Sequence, residues 1–375
     1  MRRLDRDHIK RVVVRGTNWV GDAVMTVPAL RELRRLLPDA HITLAARTTA
    51  KDVLEGADFL DEILICDSSG HEFSSPFRQA REWRRRRFDL AVLLQNAFET
   101  ALIAFMARVP LRIGYATQGR SLILSYPLPL PEWRRSRHES FYYLNIIAGL
   151  ERILTGHSEM LDQEPVFALT VTDERQSVAL DIIRSHGFNE DRPLIALCPG
   201  SINSRAKRWP TERFAALANR LIEELDANVV LIGSEAELDV SLEVSRQMRH
   251  QPIILTGKTG LAQAVAVLSL VDLLVTNDTG PAHVAAALDR PTLVIFGPTN
   301  PLTTSPYSAK AETIRHPPDC APCMLRDCPI DHRCMTAISP DEVFDRALRM
   351  LEAKSDKLQF VEIGGSSLPS QRQTN

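Results

Sequence analysis

Long apolar runs are missing from this 375-residue sequence. Met1 to Arg15 hold five arginines, a lysine and two aspartates, with no apolar core of the kind a secretory signal needs. The most apolar later stretch, Leu261 to Val275, is broken by Asp272 and is too short to span a bilayer. A cytoplasmic chain is therefore expected, peripheral at most to the inner face of the cytoplasmic membrane. The 17 glycines and 23 prolines follow no period, which excludes collagen-like and low-complexity chains. No internal repeat at a solenoid-like period is visible. A formal net charge of −2 lacks the basic footprint of a dedicated nucleic-acid binder, so no nucleic-acid partner is expected. The G-x-G-x-x-G fingerprint, the phosphate-loop lysine and any Tyr-x-x-x-Lys pair are also absent, which argues against a cofactor-dependent epimerase.

What remains is the composition of a globular enzyme, with 44% apolar and 25% charged residues. The length exceeds one ordinary core and fits two domains. Residues 1–165 carry 24 Lys+Arg against 21 Asp+Glu, and the rest 21 against 26. The first half clusters its arginines at 78, 81, 84–87, 134, 135 and 137. Such runs are commonly solvated helix faces; they also suit an anionic substrate or a weak contact with an anionic membrane surface.

Short apolar runs alternate with helical patterns throughout. Strands are expected at 11–15, 41–46, 62–66 and 88–94, then at 193–198, 228–232, 253–255, 273–276 and 292–296. This alternation gives parallel sheets covered by helices on both faces. Residues 118–137, with prolines at 127, 129 and 131, read as an exposed loop. The linker is placed near 156–165, dividing the chain into domains 1–165 and 166–354. A last helix is expected from Pro340 to about Leu351, with a disordered polar tail over 355–375. Two such halves place a ligand cleft between the carboxyl ends of their sheets.

Four turns carry the chemistry. After the first strand comes Arg15-Gly16-Thr17-Asn18-Trp19-Val20-Gly21-Asp22-Ala23, whose glycines admit close approach of a ligand. Asp22 falls at the start of the following helix, where an acidic residue also simply complements the helix dipole. After the strand at 273–276 comes Asn277-Asp278-Thr279-Gly280-Pro281-Ala282-His283. Its proline suits a first helical turn, and the free N–H groups there suit a diphosphate. Capping by Asp278 or Thr279 is the plainer alternative. Pro199 to Pro210 offers Ser201, Ser204 and Lys207 to an anionic group, or else is a solvated loop. Gly233-Ser234-Glu235-Ala236-Glu237 follows another strand, and a carboxylate there can accept from ribose hydroxyls.

Three of these stretches, in this order, resemble the bacterial lipopolysaccharide heptosyltransferases: 21–30 (Gly-Asp-Ala-Val-Met-Thr-Val-Pro-Ala-Leu), Lys207-Arg208-Trp209-Pro210, and 277–283. The likeness runs from Val12 to about Leu351. The form of residues 17–23 looks like heptosyltransferase II, which acts second in inner-core assembly. The resemblance implies a GT-B fold of two Rossmann-like, doubly wound α/β domains around an interdomain cleft. It implies an inverting glycosyltransferase with ADP-L-glycero-D-manno-heptose as donor and the first heptose of the Kdo–lipid A core of lipopolysaccharide as acceptor. By the family pattern Asp22 is the general base. Lys207, Asp278, Thr279, Gly280 and His283 lie with the donor, and Glu235 or Glu237 holds the ribose. Thr17, Asn18, Trp19, Arg112 and His138 are matched to the acceptor side. No cofactor is implied for catalysis. Within the family pattern another donor sugar or acceptor stays open; outside it, so does a non-catalytic sugar-nucleotide binder, against which Asp22 and Lys207 together argue.

Cysteine is scarce, with six in all, yet Cys320, Cys323, Cys328 and Cys334 crowd into one segment around His332. In a cytosolic chain such a cluster suits a structural zinc, a redox pair or plain reduced thiols. Its spacing differs from paired C-x-x-C knuckles. Cys66 and Cys198 fall on strands and read as small core residues.

Overall fold

The structure is a computed structural model that describes residues 6–66 and 75–364. Its first half contains β1 (Arg11–Arg15), β2 (His41–Ala46), β3 (Glu62–Ile65), β4 (Leu90–Leu93), β5 (Leu111–Tyr115) and β6 (Tyr126–Leu128). The second contains β7 (Leu194–Cys198), β8 (Asn228–Leu231), β9 (Ile253–Ile254), β10 (Leu273–Asn277), β11 (Thr292–Phe296) and β12 (Ala311–Arg315). Helices α1 (Val20–Met25), α2 (Val27–Leu36), α3 (Thr48–Leu54), α4 (Pro76–Arg86), α5 (Phe98–Met106) and α6 (Glu139–Thr155) serve the first sheet. Then follow α7 (Asp173–Arg184), α8 (Thr211–Leu225), α9 (Leu238–Gln247), α10 (Leu261–Leu268), α11 (Gly280–Ala287), α12 (Pro301–Thr304), α13 (Arg333–Thr336) and α14 (Pro340–Gly364).

The sheets run β3-β2-β1-β4-β5-β6 and β12-β11-β10-β7-β8-β9, with every pairing parallel. Read from either end, both follow the doubly wound order, with the reversal between β1 and β4 and between β7 and β10. The GT-B expectation is met. Val12, Val13 and Val14 are all fully buried because both faces of the sheet are covered. Alternation sends Val12 and Val14 to one apolar cluster and Val13 to another. In β7, Ile195 and Leu197 enter one cluster while Leu194, Ala196 and Cys198 join the cluster that also holds Val12 and Val14. One apolar core thus runs through both halves. It is extended by α1 packing on α11 and α3 on α10.

Three strands escape the sequence pattern: β6 and β12, which are edge strands, and β5, which is paired between β4 and β6. β5 and β6 close one sheet, with Arg112 and Gly114 in the first and Pro127 in the second; β12 is Ala-Glu-Thr-Ile-Arg. Edge strands tolerate proline and polar residues because half of their backbone is unpaired. Residues 118–137 are accordingly more than an exposed loop. Arg120 is fully buried, donating to the carbonyls of Gln95 and Tyr115 and to Asn96 Oδ1. At the other end, α14 continues to Gly364, past the end expected near Leu351. The rest of the expected tail, 365–375, lies outside the described residues.

Candidate active site

The turn after β1 delivers Asp22 into the first turn of α1. Gly21 is needed there for space. A β-carbon on it would lie 3.0 Å from Cδ2 of His283, which belongs to α11 of the other half. A β-carbon on Gly280 would likewise lie 3.0 Å from Val20. The amino ends of α1 and α11 therefore face each other across the cleft, and glycine on both sides lets them approach.

Asp22 is half-buried. Burial raises its carboxyl above the ordinary range, and the charge of Lys207 pulls it partly back. His283 is buried, and its ring is held neutral by burial, down to about 4, despite the opposing charge of Asp278. A further carboxyl, unremarked in the sequence, joins them. Glu139 in the first turn of α6 is pushed up to about 7 by burial, with Arg134 opposing and the Asp22 charge adding. Two carboxyls raised by burial thus lie within electrostatic reach of each other.

The second half supplies the positive charge. Lys207 Nζ lies 2.7 Å from Asp278 Oδ2 and donates to the Asp278 carbonyl at 3.2 Å. Thr299 donates its hydroxyl to the same Asp278 carboxylate at 2.7 Å. Trp209 fixes the segment that carries Lys207. It is fully buried, its indole N–H donates to Ile338 O at 3.0 Å, and its backbone N–H donates to Asn277 Oδ1 at 3.0 Å. Asn277 in turn donates to the carbonyls of Pro199 and Gly200 at 2.8 and 3.2 Å. One buried amide thereby ties the turn after β7 to the turn after β10. The capping alternative fails for Thr279, which occupies the N-cap of α11 without a side-chain cap. Its hydroxyl pairs with Thr276 Oγ1 at 3.2 Å instead. The amino end of α11 is left unsatisfied by side chains, with Gly280 at its first turn.

The two glutamates after β8 separate. Glu237 is buried and forms a capping box, its Oε2 accepting from Ser234 N at 2.9 Å and Ser234 Oγ at 2.8 Å. Its other oxygen lies over Gly200, where a β-carbon would come within 2.3 Å of it. Glu235 is exposed at the same turn.

Several expected site residues have other work. Ser204 turns its hydroxyl to the carbonyls of Leu325 and Arg326, both at 3.2 Å, and not toward Lys207. Ser201 is buried, and its carbonyl accepts from Arg208. Arg112 sits at the amino end of β5, away from the cleft edge. Its Nε donates to the carbonyl of Ile123, and one terminal nitrogen donates to the carbonyls of Val109 and Pro110. His138 caps α6, accepting from Ser140 N at Nδ1, while Nε2 lies 2.8 Å from Ser305 O of the other half. Nε2 thus joins the halves while Nδ1 caps α6, so both ring nitrogens have protein partners. Thr17 is buried, Asn18 accepts from Gln95 at 2.9 Å, and Trp19 is 57% exposed.

All four clustered cysteines are free thiols and line one cavity of about 20 Å³. Among the described residues no group of three or more His, Cys, Asp and Glu side chains is arranged to hold a metal ion, so the zinc expectation finds no support. The segment instead grips the turn that carries Lys207. Arg326 O accepts from Ala206 N at 2.9 Å, His332 Nε2 lies 2.6 Å from Ala206 O, and Arg205 pairs with Asp327 at 2.6 Å.

Residues 77–333 match the family model described as glycosyltransferase family 9 (heptosyltransferase). The chain is 32% identical over 315 residues to lipopolysaccharide heptosyltransferase 2 of Salmonella typhimurium, covering 81% of this chain and 88% of that protein. Among solved structures it is similar to ADP-heptose LPS heptosyltransferase II of E. coli, with a TM-score of 0.78 and 28% identity over 92% of this chain and 99% of that one. It is equally similar to a family 9 glycosyltransferase of Veillonella parvula, with a TM-score of 0.79 and 27% identity over 92% and 97%. The chain belongs to glycosyltransferase family 9, the heptosyltransferase family.

Proposed function

We propose that this chain transfers heptose from ADP-L-glycero-D-manno-heptose to the first heptose of the Kdo–lipid A inner core, with inversion at the anomeric carbon. The observation that carries this reading is the meeting of Asp22 with Lys207, Asp278 and His283 across the cleft. Asp22 removes the proton of the acceptor hydroxyl as its oxygen attacks the anomeric carbon. The bond from that carbon to the ADP oxygen breaks on the opposite face. Negative charge developing on the diphosphate is met by Lys207 and the amino end of α11. Close packing of α1 on α11 keeps water from the reacting centre. Glu237 is spent on its capping box, which leaves Glu235 to accept from the ribose hydroxyls. Asp278 holds Lys207 in place until the donor arrives.

The acceptor is a lipid-linked saccharide, and α4 offers a surface for the membrane that bears it. Arg78, Arg81, Arg84 and Arg85 are exposed on this helix, with Phe77 75% exposed at its start. An apolar side chain among cations suits an anionic bilayer surface.

Calorimetric titration with ADP-heptose, GDP-mannose and UDP-glucose tests the donor assignment. Selective binding of ADP-heptose, lost in Lys207→Ala, is expected. Preference for another nucleotide sugar would keep the fold and overturn the donor.

A further inference from the structure

One buried carboxylate oxygen in the second half serves two hydrogen-bond donors at once. Asp278 is 4% exposed, and its Oδ2 lies 2.7 Å from Lys207 Nζ and 2.7 Å from the Thr299 hydroxyl. Among the described residues no other side chain pairs with this carboxylate. His283 feels the Asp278 charge, but burial keeps its ring neutral, so Lys207 is the only cation paired with Asp278. Thr299 lies in no sequence motif, and no step of the transfer uses it.

The two partners differ in freedom. Lys207 carries its ammonium on a flexible four-carbon stem, and its side chain is 26% exposed. Thr299 is β-branched and stiff, and only 6% exposed. Its backbone is anchored on both sides. Gly297 has no room for a β-carbon, which would meet Met335 Sδ, and Pro298 O accepts from Met324 N at 2.9 Å. Asn300 then caps α12, its Oδ1 accepting from Leu302 N at 3.1 Å. The lysine can leave Asp278 for an incoming anion, and the threonine cannot.

That asymmetry matters once Lys207 is shared with a diphosphate. Moving the ammonium toward the ligand withdraws the only counter-charge from a buried carboxylate, and a buried anion without a partner is costly. A hydroxyl that stays behind lowers the cost, because a hydrogen bond to an ionised acceptor is among the stronger ones. Without it, Asp278 holds Lys207 back and the ligand binds less tightly. We propose that Thr299 is a positioning residue for donor binding, keeping the Asp278 carboxylate satisfied and in place while Lys207 turns to the diphosphate of the nucleotide sugar. The proposal rests on the reading of Lys207 as the residue that meets that diphosphate.

Thr299→Val keeps the shape of the side chain and removes the hydroxyl, and Thr299→Ser restores it. Thr299→Ala takes the place of the valine variant should that fail to fold. ADP affinity is measured by calorimetry for wild type, these variants and Lys207→Ala. Binding of adenosine, which lacks the diphosphate, is followed by NMR titration. Loss of one hydrogen bond to a charged group predicts about tenfold weaker ADP binding in Thr299→Val. Thr299→Ser should bind ADP almost as wild type does, and adenosine binding should be unchanged in both. An unchanged ADP affinity in Thr299→Val, or a serine variant as weak as the valine one, overturns the proposal. So do equal losses on ADP and adenosine, the result expected if the substitution merely loosens the turn. Unchanged ADP affinity in Lys207→Ala sinks the reading of Lys207, and the proposal falls with it. Wild type that binds ADP but transfers no heptose sinks the transferase reading alone, and the ADP series still judges Thr299.

Discussion

His283 shows how burial sets the chemistry of a single side chain. Its ring packs on Gly21, near Asp278, Lys207 and His138, and burial holds its pKa near 4 against an ordinary 6.5. Below pH 6.5 the unfolded chain takes up a proton that the folded ring refuses until about pH 4. The contribution to stability is therefore complete above 6.5 and shrinks as pH falls toward 4. Urea unfolding at pH 7 and pH 5 checks this. Wild type should lose about 2 kcal/mol more between those pH values than His283→Gln. Equal losses would mean that the ring is free to protonate in the fold. Asp22 moves the other way: its raised pKa keeps it a stronger base than an exposed aspartate, which is what deprotonating a sugar hydroxyl near neutral pH requires.

At the scale of elements, the cysteine-rich segment between β12 and α13 acts as a brace. Leu325 and Arg326 accept from Ser204, Arg326 from Ala206, and His332 reaches the Ala206 carbonyl. These contacts fix the short turn that aims Lys207 at Asp278. His332→Ala should weaken ADP-heptose binding several-fold although it touches no donor atom, while leaving GDP-mannose binding as weak as before. Calorimetry reads this directly, and an unchanged ADP-heptose affinity would show that the brace is dispensable. Helix α4 carries a separate expectation. Replacing Arg78, Arg81, Arg84 and Arg85 with alanine should abolish cosedimentation with anionic vesicles and leave ADP binding intact. Unchanged cosedimentation would remove α4 as the membrane-facing element. Arg86 is no part of this surface, because it is only 22% exposed and pairs with both Glu62 and Glu82 at 2.6 Å, whereas Arg85 stays 76% exposed beside Glu82.

Across the whole molecule, what the sequence made legible follows from physical period and spacing. Central strands such as β1, β7 and β10 are continuous apolar runs because both sheet faces are covered, so they stand out. The edge strands β6 and β12, and β5 next to β6, carry proline, glutamate and arginine and do not. Turn motifs drew attention to Asp22, Lys207 and Asp278, which the fold brings within electrostatic reach of one another, because glycine, tryptophan and proline neighbours mark them. Glu139 and Thr299 carry no such local mark and become visible only when elements distant in sequence converge. The bridge made by His138 was hidden for the same reason: its partner, Ser305, is 167 residues away. Ser204 and Arg112 were matched to ligand sites, yet both spend their polar atoms on nearby backbone carbonyls.

The two halves meet through the amino ends of α1 and α11, and the account turns on that meeting, with the base on one side and the diphosphate on the other. It is tested most directly by single-turnover heptose transfer in wild type and Asp22→Asn, with ADP affinity measured on the same preparations. Loss of a general base should slow transfer by about 10²–10⁴-fold while ADP affinity stays within about twofold. Near-normal transfer by Asp22→Asn would contradict the account and shift the role of base elsewhere in the cleft, with Glu139 the first residue to examine.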